Sequence, residues 1–173
     1  MSEELTMKHF VILGLASTLL AGCGSAASDA GVEKKSQTPS DVTAKRAMEA
    51  VDAFHKALAD DNSGQALALL ADDVLIYESG GAETSKAEYA SHHLDADMAF
   101  LKGVKQSVSA RSAQASGDVA WVTSQGETTG TYKDKTIDSA STETMILRRS
   151  DGQWKIVHIH WSSADNKPNA PAS

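Results

Sequence analysis

Between Asp41 and Asp60 the apolar residues Ala44, Ala47, Val51, Phe54 and Leu58 recur at spacings of three and four. This is the period of a helix with one buried stripe, and His55 lies beside that stripe. A shorter helix follows, with Asn62 as N-cap, Gln65 at the capping-box position and Ala66, Leu67 and Leu70 as its apolar side. Asp72-Asp73 ends it, Val74 to Glu78 reads as a short strand, and Ser79-Gly80-Gly81 as a turn. Ser85-Lys86-Ala87-Glu88 is a capping box that opens a third helix, predicted to run to about Leu101. After Gly103 the period changes to two. Strands are predicted over Val104 to Ala115, Val119 to Tyr132, Thr136 to Arg149 and Trp154 to Ser163, separated by tight polar turns. Along the last of these, Trp154, Ile156, His158, His160 and Ser162 share one face of a regular strand, and Lys155, Val157, Ile159, Trp161 and Ser163 share the other. Both faces carry large groups, so a core or pocket is expected on one side and a second layer or subunit on the other. Helices first and a long meander afterwards give an α+β domain, with helices covering one face of a strongly curled sheet and a pocket between the two.

The chain before the first helix has no such period. Met7-Lys8-His9 precedes an apolar run from Phe10 to Leu20, which fits the h-region of a signal peptide and is too short to span a bilayer. It ends in Leu20-Ala21-Gly22-Cys23, which resembles the lipobox of bacterial lipoproteins. That resemblance implies export, diacylglycerol attachment at Cys23 and, with Gly24 rather than aspartate next, an outer membrane facing the periplasm. Residues 1–22 are then a signal peptide. Residues 23–40 are the lipidated cysteine with a small, polar, flexible tether, whose root-mean-square span is about 20 Å. The folded domain occupies 41–163, and 164–173 is a disordered tail.

Composition narrows the function classes. Of 173 residues, 23% are charged and 41% hydrophobic, which suits one globular domain. The formal net charge is −7 with no basic stripe, which argues against nucleic acid as a partner. Cys23 is the only cysteine, so an intrachain disulfide and a thiolate metal cluster are both excluded.

From about residue 44 to 163 the order of elements resembles the NTF2-like superfamily (SnoaL-like, DUF4440). The most specific part is Thr142-Glu143-Thr144, Leu147-Arg148-Arg149, Asp151-Gly152-Gln153-Trp154 and Ile156-Val157-His158-Ile159-His160. That run is similar to the association (hub) domain of calcium/calmodulin-dependent kinase II. The resemblance implies a cone-shaped fold and a homodimer. Met145 and Trp161 stand where the hub carries anion-binding arginines, so carboxylate recognition does not carry over. The superfamily spans isomerases, cyclases, dehydratases and binding modules, and it implies no particular reaction.

Three readings of the candidate residues follow. In the first, a small, largely apolar or neutral molecule occupies a pocket walled by Tyr77, His93, Glu143, Met145, Ile159 and Trp161, while His158 and His160 face the opposite side and pair two subunits. No cofactor is expected in that case. In the second, His92, His93, His158 and His160 hold copper or zinc, since neutral imidazole suits both metals. In the third, the domain is an enzyme with Glu143, Tyr77 or Asp97 as its acid or base, its pKa shifted by the pocket. For Glu143 the preferred expectation is instead a hydrogen bond or ion pair that organises the sheet, with Arg111 or Arg148. Trp121 and Trp154 are expected in the core.

Overall fold

A computed structural model describes residues 38–166. Residues 1–37, on which the expected signal peptide, the lipidation at Cys23 and most of the expected tether fall, and residues 167–173 of the expected tail lie outside the described residues. Helix α1 (Pro39–Ala59) is followed by α2 (Ser63–Leu69), strands β1 (Leu70–Glu78) and β2 (Gly81–Glu83), and helices α3 (Lys86–His92) and α4 (Leu94–Gly103). Strands β3 (Val104–Ser116), β4 (Val119–Tyr132), β5 (Lys135–Ser150) and β6 (Gln153–Asp165) complete the chain. The domain is α+β: one six-stranded sheet of order β2-β1-β6-β5-β4-β3, antiparallel except where β1 runs beside β6.

Local chemistry explains the boundaries. Thr38 and Asp41 form a reciprocal capping box with Pro39 in the first turn, so α1 starts two residues earlier than its hydrophobic stripe suggests. Its inner side buries Ala44, Ala47, Val51, Phe54, Ala57 and Leu58. The turns β4–β5 and β5–β6 place Lys133-Asp134 and Asp151-Gly152 at positive φ, the twist that two-residue hairpin turns require. Strand β6 continues to Asp165, so residues 164 and 165 belong to the sheet, not to a tail.

Two elements depart from the expected pattern. The third helix breaks at His93, whose φ of −110° ends α3, and Leu94 starts α4. Tyr89 and Leu94 are both buried but five residues apart, which is about 140° around a regular helix. The break lets both face the core. In β6, Ile146 pairs with His158 but Leu147 pairs with Ile156, so Val157 is a bulge. The bulge reverses the alternation: Trp154 and Ile156 face inward below it, Ile159 and Trp161 above it.

The core gathers Val51 and Phe54 of α1 with Val122, Met145, Leu147, Ile156 and Ile159 of the sheet. Gly126, on the inner side of β4, approaches β3 so closely that an added Cβ would lie 2.3 Å from the Ser107 carbonyl oxygen. Gly126→Ala is therefore expected to cost about 2 kcal/mol, seen as a lower urea midpoint with an unchanged slope; a midpoint equal to the parent's would mean that β3 gives way freely.

Candidate functional site

The inner side of the sheet changes character halfway along its strands. Ala120, Val122, Met145 and Leu147 are apolar and covered by α1, whereas Ser124, Thr128, Ser139 and Glu143 face a cavity of about 380 Å³. At the boundary the register aligns Arg111 with Ser124, Ser124 with Glu143, Glu143 with Trp161, and Trp161 with Glu78. One rank across five strands thus carries the polar centre of the site. Helix α1 closes it with Asp52, His55 and Leu58, and α4 with Asp97, Phe100 and Leu101.

Glu143 is the hub of a hydrogen-bond network and only 9% exposed. Its Oε2 lies 2.8 Å from His55 Nε2 and accepts from Trp161 Nε1–H at 2.8 Å. Its Oε1 receives the Ser124 hydroxyl at 3.4 Å. Arg111 Nε–H donates to Ser124 Oγ at 2.9 Å, and its Nη1 pairs with Asp52. Burial pushes the Glu143 carboxyl up, but the hydrogen bond and charge of His55, the Trp161 indole and the charge of Arg111 outweigh it and hold the group below its ordinary value. Glu143 is therefore a fixed carboxylate.

Asp97 is tuned the other way. Burial, with the negative charge of Glu78, pushes its carboxyl up to about 6, against the opposing Tyr89 hydrogen bond and His93 charge. The Tyr89 hydroxyl donates to Asp97 Oδ2 at 2.7 Å, and burial with the neighbouring Asp97 charge raises that phenol. Two carboxyls of one cavity are thus pushed apart by their surroundings, an arrangement that can separate acid from base roles.

The predicted residues divide among different compartments. Glu143, Trp161 and Asp97 line the cavity. Met145 and Ile159 point the same way as Glu143 and Trp161 but are fully buried in the core, because α1 covers their half of the sheet; they are no part of the cavity wall. Tyr77 pairs in register with His160 and lies on the outer face, edge-on to His158 and His160 at centroid distances of 5.3 and 6.4 Å. Its alternation with buried Ile76 turns it away from the cavity. His93 sits at the helix break against Glu83, outside the cavity lining. His158 and His160 are on the outer face as expected, with His158 Nδ1 2.9 Å from the Leu75 carbonyl oxygen. His92 is exposed at the end of α3. The four histidines are not brought together, and among the described residues no three His, Cys, Asp or Glu side chains converge to hold a metal ion. Trp154 is buried, but Trp121 is 37% exposed on the outer face and is not a core residue.

Residue-type reasoning passed over His55 and Asp52 as members of the site, and named Arg111 only as one of two expected ion-pair partners of Glu143. Arg111 reaches Glu143 only through Ser124, one strand short of the ion pair expected, and Arg148 instead meets Asp73. The spacing of Asp52 and His55, three apart along one edge of the α1 stripe, was the available signal.

Residues 47–166 match the model of the SnoaL-like domain, and the chain belongs to that family. Among solved structures, a candidate ketosteroid isomerase from Shewanella frigidimarina is 44% identical over 68% of this chain and 94% of its own, with a TM-score of 0.66. A candidate dehydratase of the NTF2-like family from Streptomyces avermitilis is 19% identical over 73% of this chain and 99% of its own, with a TM-score of 0.63. The CaMKII hub of S. rosetta is 20% identical over 75% and 99%, with a TM-score of 0.57. The latter two establish the NTF2-like fold only. No curated protein matches the chain.

Because Asp97 takes up its proton more readily when folded than at its ordinary value of 3.8, the folded state binds more protons between about pH 4 and pH 6. Its ionisation then costs stability that is absent below that window and fully present above it. Asp97→Asn keeps an acceptor for Tyr89 and is expected to raise stability by about 1–2 kcal/mol near neutral pH. The gain should vanish below about pH 4. Urea titrations across this range check it, and a gain independent of pH would contradict the assignment.

Proposed function

We propose that this SnoaL-like domain binds a small organic molecule in its cone, and that the chain is exported, lipid-anchored at Cys23 to the outer membrane facing the periplasm, and dimeric through the outer face of the sheet. The observation that carries the ligand reading is the buried Glu143 carboxylate, fixed by His55, Trp161 and Ser124 and turned into an open cavity of about 380 Å³. A volume of that size suits a small ligand. Satisfying a buried carboxylate with three donors at the rim of a void organises a site more readily than it stabilises a core.

Dimerisation is supported by the outer face. Trp121 pairs in register with Ile146, and Ile146 with His158, while α1 packs on the other side of the sheet. A row of that kind is suited to a second copy of itself.

Fragment binding followed by saturation-transfer NMR tests the ligand reading. Fragments should bind and compete with one another, and Val108→Trp, which fills the cavity mouth from an exposed position, should abolish binding without lowering the melting temperature. Binding that survives Val108→Trp would place the ligand elsewhere, and no binding at all would remove the reading. For the assembly, the domain should sediment as a dimer and Ile146→Lys as a monomer, whereas Cys23→Ala should move the full chain from the membrane fraction to the soluble one. A monomeric parent, or a membrane-bound Cys23→Ala protein, would overturn the corresponding part.

A second reading is general acid–base catalysis, favoured by the opposite tuning of Asp97 and Glu143 within one cavity and by the 44% identity to a candidate ketosteroid isomerase. A β,γ-unsaturated ketone should then be converted to its conjugated isomer, with Asp97→Asn slowing turnover about 100-fold or more. Conversion no faster than in buffer would remove this reading and leave the binding one intact.

A further inference from the structure

The cavity that the proposed function fills also carries information about the charge of its occupant. Five carboxylates line it, those of Asp52, Glu78, Asp97, Glu127 and Glu143; His93, whose charge reaches Asp97 from outside the lining, is paired with Glu83, and the basic side chains among the described lining residues are Arg111 and His55. Both are already engaged, Arg111 by Asp52 and His55 by Glu143. Glu127 accepts from the Asn166 amide at 3.0 Å. Glu78 and Asp97 are left facing one another, with the Tyr89 hydroxyl on Asp97 and no hydrogen-bonding or ion-pair partner on Glu78 among the described residues.

A second observation stands apart from that charge. Thr128 and Ser139 are directly paired across β4 and β5, are 4% and 8% exposed, and line the same cavity. Neither hydroxyl has a hydrogen-bond partner among the described residues. Both hydroxyls are open to the cavity and not sealed inside the protein, so two unpartnered donors stand side by side on its wall, free to bond a ligand. Phe100 and Trp161 supply apolar surface in the same cavity.

Resting on the reading of the cone as a ligand site, we infer that its occupant is a small amphipathic amine bound as the ammonium ion. The cation lies against Glu78 and Asp97, the apolar body against Phe100 and Trp161, and a polar substituent reaches the hydroxyls of Thr128 and Ser139. An anion is disfavoured because it would enter a cavity whose uncompensated charge is negative and whose two basic groups are taken. A neutral molecule would leave the Glu78 and Asp97 charges facing each other without a counter-ion.

Phenethylamine, phenethyl alcohol and phenylacetate share one apolar body and differ in charge, which makes them a direct probe. In calorimetric titrations of the domain near neutral pH, the amine is expected to bind at least about tenfold more tightly than the alcohol, and phenylacetate not measurably. Replacing both carboxylates, Glu78→Gln with Asp97→Asn, should weaken the amine by at least about tenfold and leave the alcohol unchanged. A second pair, Thr128→Val with Ser139→Ala, should weaken tyramine, which adds a phenolic hydroxyl, more than phenethylamine. Thermal melts of each variant confirm the fold. Equal or tighter binding of the alcohol or of phenylacetate, competed by the fragments of the preceding test, overturns the amine inference and leaves the ligand site standing. Binding of none of the three, while those fragments still bind, also overturns it; loss of both sets overturns the ligand site itself.

Discussion

One extra residue in β6 governs how the sheet is used. If β6 were regular, Trp154 and Ile156 would share a face with His158 and His160, and Ile159 and Trp161 would lie opposite. The Val157 bulge shifts the phase, so that Trp154, Ile156, Ile159 and Trp161 all face the helices and both histidines face outward. Each large apolar side chain buried contributes about 1.5–3 kcal/mol, and without the bulge one pair would be left on the outer face. The consequence reaches the site, because the same phase shift aims the Trp161 indole at Glu143. Strand β6 thus satisfies the core with its first half and the cavity with its second.

That division continues across the sheet. The strands β3 to β6 run 13 to 16 residues, longer than the helical layer can cover. Inward positions are apolar where α1 lies over them and polar beyond it, and the change falls at the rank Arg111, Ser124, Glu143 and Trp161. A buried carboxylate at such a boundary is tolerable because neighbours in register supply its donors and α1 adds His55 from above. The geometry of the site therefore follows from strand register, and a one-residue slip in any of β3 to β5 would dismantle it.

How much of this was legible depends on how local the cause is. Helix α1, the meander and the two hairpin turns follow from spacing and from Asp134 and Gly152, features that act over a few residues. Parity sorted Glu143 and Trp161 onto one face with Met145 and Ile159, and the resemblance to the hub domain, whose arginines stand at the positions of Met145 and Trp161, was what pointed that face inward. The bulge at Val157 has no residue signature of its own, since valine suits a regular strand equally well; what requires it is the inward burial of both Trp154–Ile156 and Ile159–Trp161, which a regular strand would put on opposite faces. The break at His93 likewise answers a tertiary demand, the burial of both Tyr89 and Leu94. His55 and Asp52 were hidden for the same reason: their role depends on which strand lies opposite them. Tyr77 was misplaced because its strand pairs in parallel with β6, a neighbour that sequence order does not suggest.

The opposite settings of the two cavity carboxyls also separate their possible duties. Glu143 accepts at both oxygens from three donors and is held below its ordinary value, so its geometry is rigid. Such a group orients a ligand or stabilises positive charge, and it is a poor proton carrier, because taking a proton would break the contacts that fix it. Asp97 has one hydrogen bond, from Tyr89, and a carboxyl pushed up to about 6 by burial and by Glu78. A group poised that close to neutrality exchanges a proton at little cost. Any chemistry in this cone would therefore run through Asp97 with Glu143 as its fixed reference. A cation bound between Glu78 and Asp97 would remove that capacity by holding Asp97 ionised. Tight binding of an amine and proton transfer by Asp97 are thus competing uses of one side chain.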